Sequence, residues 1–117
     1  MSQPLAGNQV EVSTEDTAKA LADDSAEVID VREDYEREAG HVAGTRHIAL
    51  AQVAAEAESI DRERPVIFYC RVGSRSLMAA QAFRRAGFDA YSMAGGVLQW
   101  AEEGRPLTPE GGTVADH

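Results

Sequence analysis

The sequence predicts an α/β domain, a small parallel sheet of about five strands with helices on both faces. Short runs rich in β-branched and aromatic residues alternate with longer helical segments along the chain. This alternation indicates right-handed crossovers between parallel strands, which leave helices on both faces of the sheet. The length of 117 residues, without an internal repeat, fits one domain.

The first strand and helix are predicted from a short extended run and a capping signal. Residues 9–12 form a short strand candidate. Ser13 can cap the following helix over residues 14–21, and Asp16 lies near the capping-box position three residues later.

The second strand is predicted over residues 27–31 (EVIDV), because this run is rich in β-branched side chains and reads as buried. A short charged helix over residues 33–38 follows it. Residues 40–49 are predicted as a loop with a brief extended piece near His47. The alanine content of residues 50–59 predicts one continuous helix.

The strongest strand and the strongest helix lie next to each other in the second half of the chain. Pro65 precedes the strand Val66–Tyr69. A helix follows over residues 74–86 and ends at Gly87, the usual left-handed cap. One face of this helix carries residues at helical spacing, namely Ser76, Ala79, Ala80 and Phe83.

A last strand over residues 90–93 and a last helix over residues 97–103 complete the predicted domain, which spans residues 9–107. Residues 1–8 and 108–117 are polar and contain Gly and Pro, so both are predicted to be flexible termini.

The charge and composition exclude several classes of function. The net charge of −9 argues against nucleic acid and anionic membranes as partners. No run approaches the roughly 20 apolar residues that span a bilayer, and residues 1–25 show no signal peptide. The single cysteine, Cys70, excludes an internal disulfide and a Cys-x-x-Cys pair. A cytoplasmic location is therefore expected.

Two predicted strands end in residues of chemical interest. Asp30 and Arg32 stand at the end of one strand, and Cys70 and Arg71 follow another. Since ligands of open α/β sheets bind beyond the carboxyl ends of the strands, the two pairs are predicted to lie at one site.

The loop at residues 70–76 (CRVGSRS) joins the strongest strand to the strongest helix. Such a turn directs backbone N–H groups inward, and the helix start adds partial positive charge. Gly73 allows the turn to curl, and Arg71 and Arg75 add cations. This setting favours the thiolate of Cys70 as a nucleophile. The alternative is that Cys70 is a small buried hydrophobic residue. Two arginines at a helix start, where cations are disfavoured, point instead to an anion.

These motifs, in this order and spacing, resemble a rhodanese domain over about residues 10–107. The motifs are residues 28–33 with their Asp-Val-Arg, Tyr35 before Gly40-His41-Val42-Ala43-Gly44, residues 66–76, Ala86-Gly87-Phe88, Gly95-Gly96, and Trp100.

The resemblance implies a sulfurtransferase. Cys70 would attack the sulfane sulfur of a small sulfur-containing anion such as thiosulfate and become a persulfide. The acceptor would be cyanide in assays, and a thiol or a thioredoxin-like, sulfur-accepting protein in cells. The donor and the persulfide would be bound by the loop, that is, by Arg71, Val72, Gly73, Ser74 and Arg75.

Two other functions remain open. The chain could be a sulfur-carrier or interaction module that depends on a protein partner. It could instead be a small phosphatase or arsenate reductase, but the resembling enzymes of that kind have five residues between cysteine and arginine. Only four separate Cys70 from Arg75 here, and the shorter loop suits a sulfur atom better than a tetrahedral phosphate.

Three further residues are predicted to support the site. Asp30 and Arg32 are interpreted as structural groups that pair with the backbone or with each other. The resemblance suggests that His41 holds its loop in place. The histidines have no metal-ligand spacing, so neither a metal nor a cofactor is predicted.

Overall fold

The computed structural model describes residues 9–117 and contains a five-stranded parallel sheet in the order β1-β5-β4-β2-β3. The strands are β1 (Glu11–Val12), β2 (Glu27–Asp30), β3 (Arg46–His47), β4 (Val66–Tyr69) and β5 (Ala90–Met93). The predicted parallel α/β sheet is thereby confirmed.

Helices cover both faces of the sheet, as predicted. They are α1 (Thr14–Asp23), α2 (Asp34–Ala39), α3 (Leu50–Val53), a 3₁₀ turn (Ala57–Ser59), α4 (Ser74–Arg85) and α5 (Gly96–Glu102). Ala20 of α1 and Trp100 of α5 pack in one core with Ile67 and Tyr69 of β4. Phe83 of α4 packs in the opposite core.

The pattern of side chains along β4 explains the two cores. Val66 and Phe68 point to the face covered by α3 and α4, and Ile67 and Tyr69 point to the other face. All four are fully buried, because successive side chains of a strand alternate between faces and both faces are covered here.

Local signals place the two long helices. The Ser13 hydroxyl accepts the Asp16 N–H at 2.9 Å, as the capping signal predicted. The predicted face of α4 is buried in full, with Ser76, Ala79, Ala80 and Phe83 against the sheet.

The register between β2 and β4 brings the two strand ends together. Asp30 pairs with Tyr69, and the Val31 N–H donates to the Tyr69 carbonyl at 2.9 Å. The next residues, Val31 and Cys70, therefore leave the sheet side by side. This position places the site at the carboxyl edge, where the sequence predicted it.

The helix predicted over residues 50–59 is interrupted. It forms α3 and, after a short turn, the 3₁₀ turn at Ala57–Ser59. Val53 and Ile60 reach the core, but residues 54–56 are exposed. Alanine propensity alone does not maintain a helix where few side chains are buried.

Residues 108–117, predicted as a flexible end, are bound to the domain in the structure. Thr108 forms an antiparallel bridge with His41, and the Thr113 N–H donates to the Ala39 carbonyl at 2.8 Å. The approach is so close that a Cβ on Gly40 would lie 2.4 Å from the Thr113 carbonyl oxygen. Composition alone could not show this fit between two backbones. The prediction for residues 1–8 lies outside the described residues.

No helix within residues 9–117 is both long and apolar enough to cross a membrane.

Candidate active site

Cys70 lies at the carboxyl end of the central strand β4, and its sulfur points into the turn that leads to α4. The Gly73 N–H donates to Sγ at 3.1 Å, and the Ser76 N–H donates to it at 3.4 Å. Gly73 has φ +109°, a backbone conformation that favours glycine and that curls the turn around the sulfur. These two donors would stabilise negative charge on Sγ.

Further N–H groups of the turn are available for a ligand. Ser74 and Arg75 belong to the first turn of α4, where N–H groups lack intrahelical acceptors. Within residues 9–117, neither N–H forms a hydrogen bond. The start of α5 holds the turn from the other side, because the Val97 and Leu98 N–H groups donate to the Cys70 and Arg71 carbonyls, each at 2.9 Å.

Two buried serines lie behind the sulfur, and the sequence did not identify them as part of the site. The Ser76 hydroxyl is 3.5 Å from Sγ and 2.8 Å from the Ser92 hydroxyl. Ser92 lies within strand β5, and its side chain is fully buried. A serine within a buried strand is a usable sequence signal, since a buried hydroxyl needs a partner.

Arg75 is committed to an ion pair with a second residue that the sequence did not identify. Its two terminal nitrogens each lie 2.9 Å from an oxygen of Glu36, a buried residue of α2. Glu36 also accepts the Glu33 N–H at 3.0 Å, which completes a capping box. Burial alone would raise the pKa of the Glu36 carboxyl, but the hydrogen bonds from Arg75 and Glu33 outweigh burial and lower it.

Arg75 is among the loop residues predicted to bind the donor and the persulfide. The hydrogen bonds to Glu36 raise the pKa of Arg75 further, and they occupy both of its terminal nitrogens. The guanidinium therefore has a structural partner in Glu36, while the backbone N–H of Arg75 belongs to the first turn of α4. The spacing of residues along the sequence does not predict that the Arg75 guanidinium lies beside Glu36 of α2.

Arg71 and Val72 form the outer part of the turn. Arg71 Nη2 lies 3.3 Å from Asp116 Oδ1, so the C-terminal segment reaches the site. The buried Nε of Arg71 has no hydrogen-bond partner in the described part of the chain. Val72 is one of the few large apolar side chains that are exposed, at 48%. Both residues remain accessible to a ligand at the mouth of the site.

Asp30 and Arg32 form the predicted pair. Arg32 Nε and Nη2 donate to the two Asp30 oxygens at 2.9 and 2.8 Å, and both residues are fully buried. Arg32 Nη2 also donates to the Gly40 carbonyl at 2.8 Å. The pKa of Arg32 is raised, because the bonds to Asp30 outweigh the effect of burial. The pair fixes the loop after β2 and forms no hydrogen bond with Cys70 within residues 9–117.

His41, which the resemblance suggests holds its loop, contacts the backbone on two sides. Its Nδ1 lies 3.0 Å from the Arg37 carbonyl, and its backbone forms the bridge to Thr108. Within residues 9–117, no three His, Cys, Asp or Glu side chains are grouped so that they could hold a metal ion.

The arginines at the site are therefore paired with carboxylates. Arg32 is paired with Asp30, Arg75 with Glu36 and Arg71 with Asp116. Backbone N–H groups and the start of α4 add partial positive charge beside the sulfur.

Cys70 has no exposed surface, with a relative accessibility of 0%. A reagent can therefore reach Sγ only after part of the turn or its cover moves. This burial is the main structural constraint on any reaction at the thiol.

Several known proteins are similar to this chain in sequence or in fold. Residues 13–103 match the family described as Rhodanese-like domain. Protein YqhL of Bacillus subtilis is 41% identical over 76 residues, which cover 64% of this chain and 60% of YqhL. The thiosulfate sulfurtransferase GlpE of Pseudomonas aeruginosa (strain LESB58) is 36% identical over 84 residues, or 71% of this chain and 76% of GlpE.

The fold has a close structural counterpart. The crystal structure of a rhodanese-related protein from Thermoplasma volcanium superimposes with a TM-score of 0.78 and 24% identity. The match covers 84% of this chain and 96% of that protein. At this identity the likeness supports the fold alone.

Proposed function

Because the chain belongs to the rhodanese-like domain family, we propose that it is a sulfurtransferase that carries a sulfane sulfur atom on Cys70 as a persulfide. The observation that carries the proposal is the pair of N–H groups, from Gly73 and Ser76, directed at Sγ. Both N–H groups are placed to donate to the sulfur, which acts as the nucleophile in covalent catalysis by cysteine.

The proposed reaction has two half-reactions. The Cys70 thiolate attacks the outer sulfur of thiosulfate, the S–S bond breaks, and its electron pair leaves with sulfite. Cys70 then carries a persulfide. A nucleophilic acceptor attacks the outer sulfur of the persulfide, and the Cys70 thiolate is regenerated. Covalent catalysis of this kind predicts ping-pong kinetics.

The turn offers groups for each stage. The N–H groups of Ser74 and Arg75, which lack acceptors across residues 9–117, are suited to the terminal sulfur of the persulfide. Arg71, at the mouth, is suited to the oxyanion part of the donor. The acceptor would be a thiol or a thioredoxin-like protein, and the cytoplasm is the proposed compartment, because a lone thiol fits a reducing environment.

A partner-dependent sulfur carrier is the second candidate, and the burial of Cys70 favours it. A protein that docks at the turn could supply the binding energy that exposes the thiol. In that case the isolated domain would turn over slowly, and the partner would raise the transfer rate.

A phosphatase or arsenate reductase receives less support. These enzymes need cations for a tetrahedral oxyanion, and the Arg75 guanidinium is bound by Glu36 on both terminal nitrogens. An assay with an aryl phosphate tests this alternative directly.

Intact-protein mass spectrometry after incubation with thiosulfate tests the proposal. We expect one added sulfur atom on the wild type, lost on treatment with cyanide, and none on Cys70→Ser. Sulfur on the Cys70→Ser variant would contradict the proposal. No sulfur on the wild type would argue against thiosulfate as the donor, and the experiment would then be repeated with an organic persulfide.

A further inference from the structure

The C-terminal segment, residues 108–117, returns to the mouth of the site along α2. Thr108 is bonded to His41, and Thr113 to Ala39. The Tyr35 hydroxyl donates to the Asp116 carbonyl at 3.2 Å. These contacts bring the Asp116 side chain to 3.3 Å from Arg71 Nη2.

Arg71 is held from both sides. Its carbonyl accepts the Leu98 N–H, which fixes its backbone against α5. Its guanidinium is partly buried, with 28% of the side chain exposed, whereas the Asp116 side chain is 98% exposed. Arg71 is therefore a fixed cation, and Asp116 is a carboxylate that can move away into solvent.

Arg71 is also the cation best placed for an anionic donor, because Glu36 and Asp30 hold the other two arginines at or near the site through bidentate pairs. A carboxylate and a sulfonate-like oxyanion use the same guanidinium nitrogens. The two cannot bind Arg71 Nη2 in the same way at the same time.

We propose that Asp116 is a specificity-determining residue, whose carboxylate competes with the anionic group of the sulfur donor for Arg71. The inference rests on the proposed function. It predicts that the wild type discriminates against small dianionic donors such as thiosulfate in favour of donors with less charge beside the sulfane sulfur.

The first test measures KM and kcat for thiosulfate in the cyanide assay. Asp116→Asn removes the competing charge and keeps the shape of the side chain. We expect KM to fall about two- to fivefold with kcat little changed, since an exposed ion pair is weak. The matched control is Glu110→Gln, which makes the same charge change in the same segment. Glu110 is exposed and forms no ion pair or hydrogen bond with the rest of residues 9–117.

A second test does not need sulfur transfer. Cys70 is alkylated with iodoacetate, an anion, and with iodoacetamide, its neutral analogue. The ratio of the two rates cancels the burial and nucleophilicity of the thiol and reports the local charge. We expect Asp116→Asn to raise the iodoacetate-to-iodoacetamide ratio about two- to fivefold, and Glu110→Gln to leave it unchanged. Tyr35→Phe, which loosens the Asp116 contact without a charge change, should raise the ratio less.

Two outcomes would overturn the inference. One is an unchanged alkylation ratio in Asp116→Asn, whatever the turnover shows. The other is an equal rise in Glu110→Gln, which would indicate a general effect of net charge. Failure of the proposed function is distinguishable from both, because it appears as the absence of a persulfide on the wild type with every donor.

Discussion

The carboxylate of Glu36 and the guanidinium of Arg75 join α2 to the first turn of α4 through two parallel hydrogen bonds of 2.9 Å each. Glu36 is fully buried, and 14% of the Arg75 side chain is exposed. This ion pair lies next to the turn that carries Cys70 and connects that turn to α2. Through this pair the Arg75 guanidinium holds the turn against α2.

Glu36→Ala should lower the free energy of unfolding by about 3 kcal/mol, because the change leaves a nearly buried guanidinium without its charge partner. Glu38→Ala is the matched control on the same helix. Glu38 is exposed and pairs with nothing else in residues 9–117, so its loss should change stability by less than about 0.5 kcal/mol. Urea unfolding monitored by circular dichroism measures both, and equal effects would show that the pair contributes nothing.

Asp30→Asn should be the most damaging of the charge changes, at about 3–5 kcal/mol, because Arg32 is fully buried and would lose the carboxylate that pairs with it at 2.8 Å. Glu38→Gln, an exposed change of the same kind, provides the reference. Urea midpoints compare the two. If Asp30→Asn were as stable as the reference, the hydrogen bond from Arg32 to the Gly40 carbonyl and its other contacts would be enough to stabilise the buried guanidinium.

Gly73→Ala should impair both folding and sulfur loading. A residue with a Cβ is disfavoured at φ +109°, and we expect a cost of about 1–2 kcal/mol. A shift of the turn would also move the N–H that donates to Sγ at 3.1 Å. Persulfide formation from thiosulfate, followed by mass spectrometry, should therefore slow at temperatures where the variant is still folded. Normal loading in a destabilised variant would show that this N–H is dispensable.

Alkaline pH should weaken the fold through Tyr69. Burial, with the nearby Asp30 charge, raises the pKa of Tyr69 to about 12. The folded state therefore keeps the phenol proton more tightly than the unfolded chain, whose tyrosine pKa is about 10. The stabilisation is complete below about pH 10 and is lost between about pH 10 and 12.

The control for this titration is Tyr69→Phe, which should show a shallower loss of stability from about pH 10 to 12 in urea unfolding. Some slope will remain, because the pKa of Tyr91 is also raised to about 12. The variant will be less stable at pH 7, since the Val42 N–H loses the phenol oxygen as its acceptor at 3.1 Å. Parallel curves for the two proteins would contradict the assignment to Tyr69.

Local sequence patterns predicted the elements that depend on local physics. The cap at Ser13, the buried face of α4 and the hydrophobic run of β4 follow from hydrogen bonding and periodicity within a few residues. Cys70 could be located for the same reason, because its turn lies between two strong elements.

Side-chain partners from distant parts of the chain could not be predicted in this way. Glu36 meets Arg75 across 39 positions, and Asp116 meets Arg71 across 45. Each pairing depends on the packing of α2 and of the C-terminal segment, which no local pattern encodes. The prediction of one helix over residues 50–59 is wrong for a related reason. It rested on the helix propensity of alanine, whereas the stability of a helix in a protein depends mainly on the side chains that it buries.

The two outer strands of the sheet, β1 and β3, contain two residues each. A strand from another molecule that added to either edge would gain few backbone hydrogen bonds, so the sheet is a poor template for edge-to-edge aggregation. The long, hydrophobic strands β4 and β2, which would be hazardous at an edge, lie inside the sheet. Self-association of the protein through its sheet edges is therefore disfavoured.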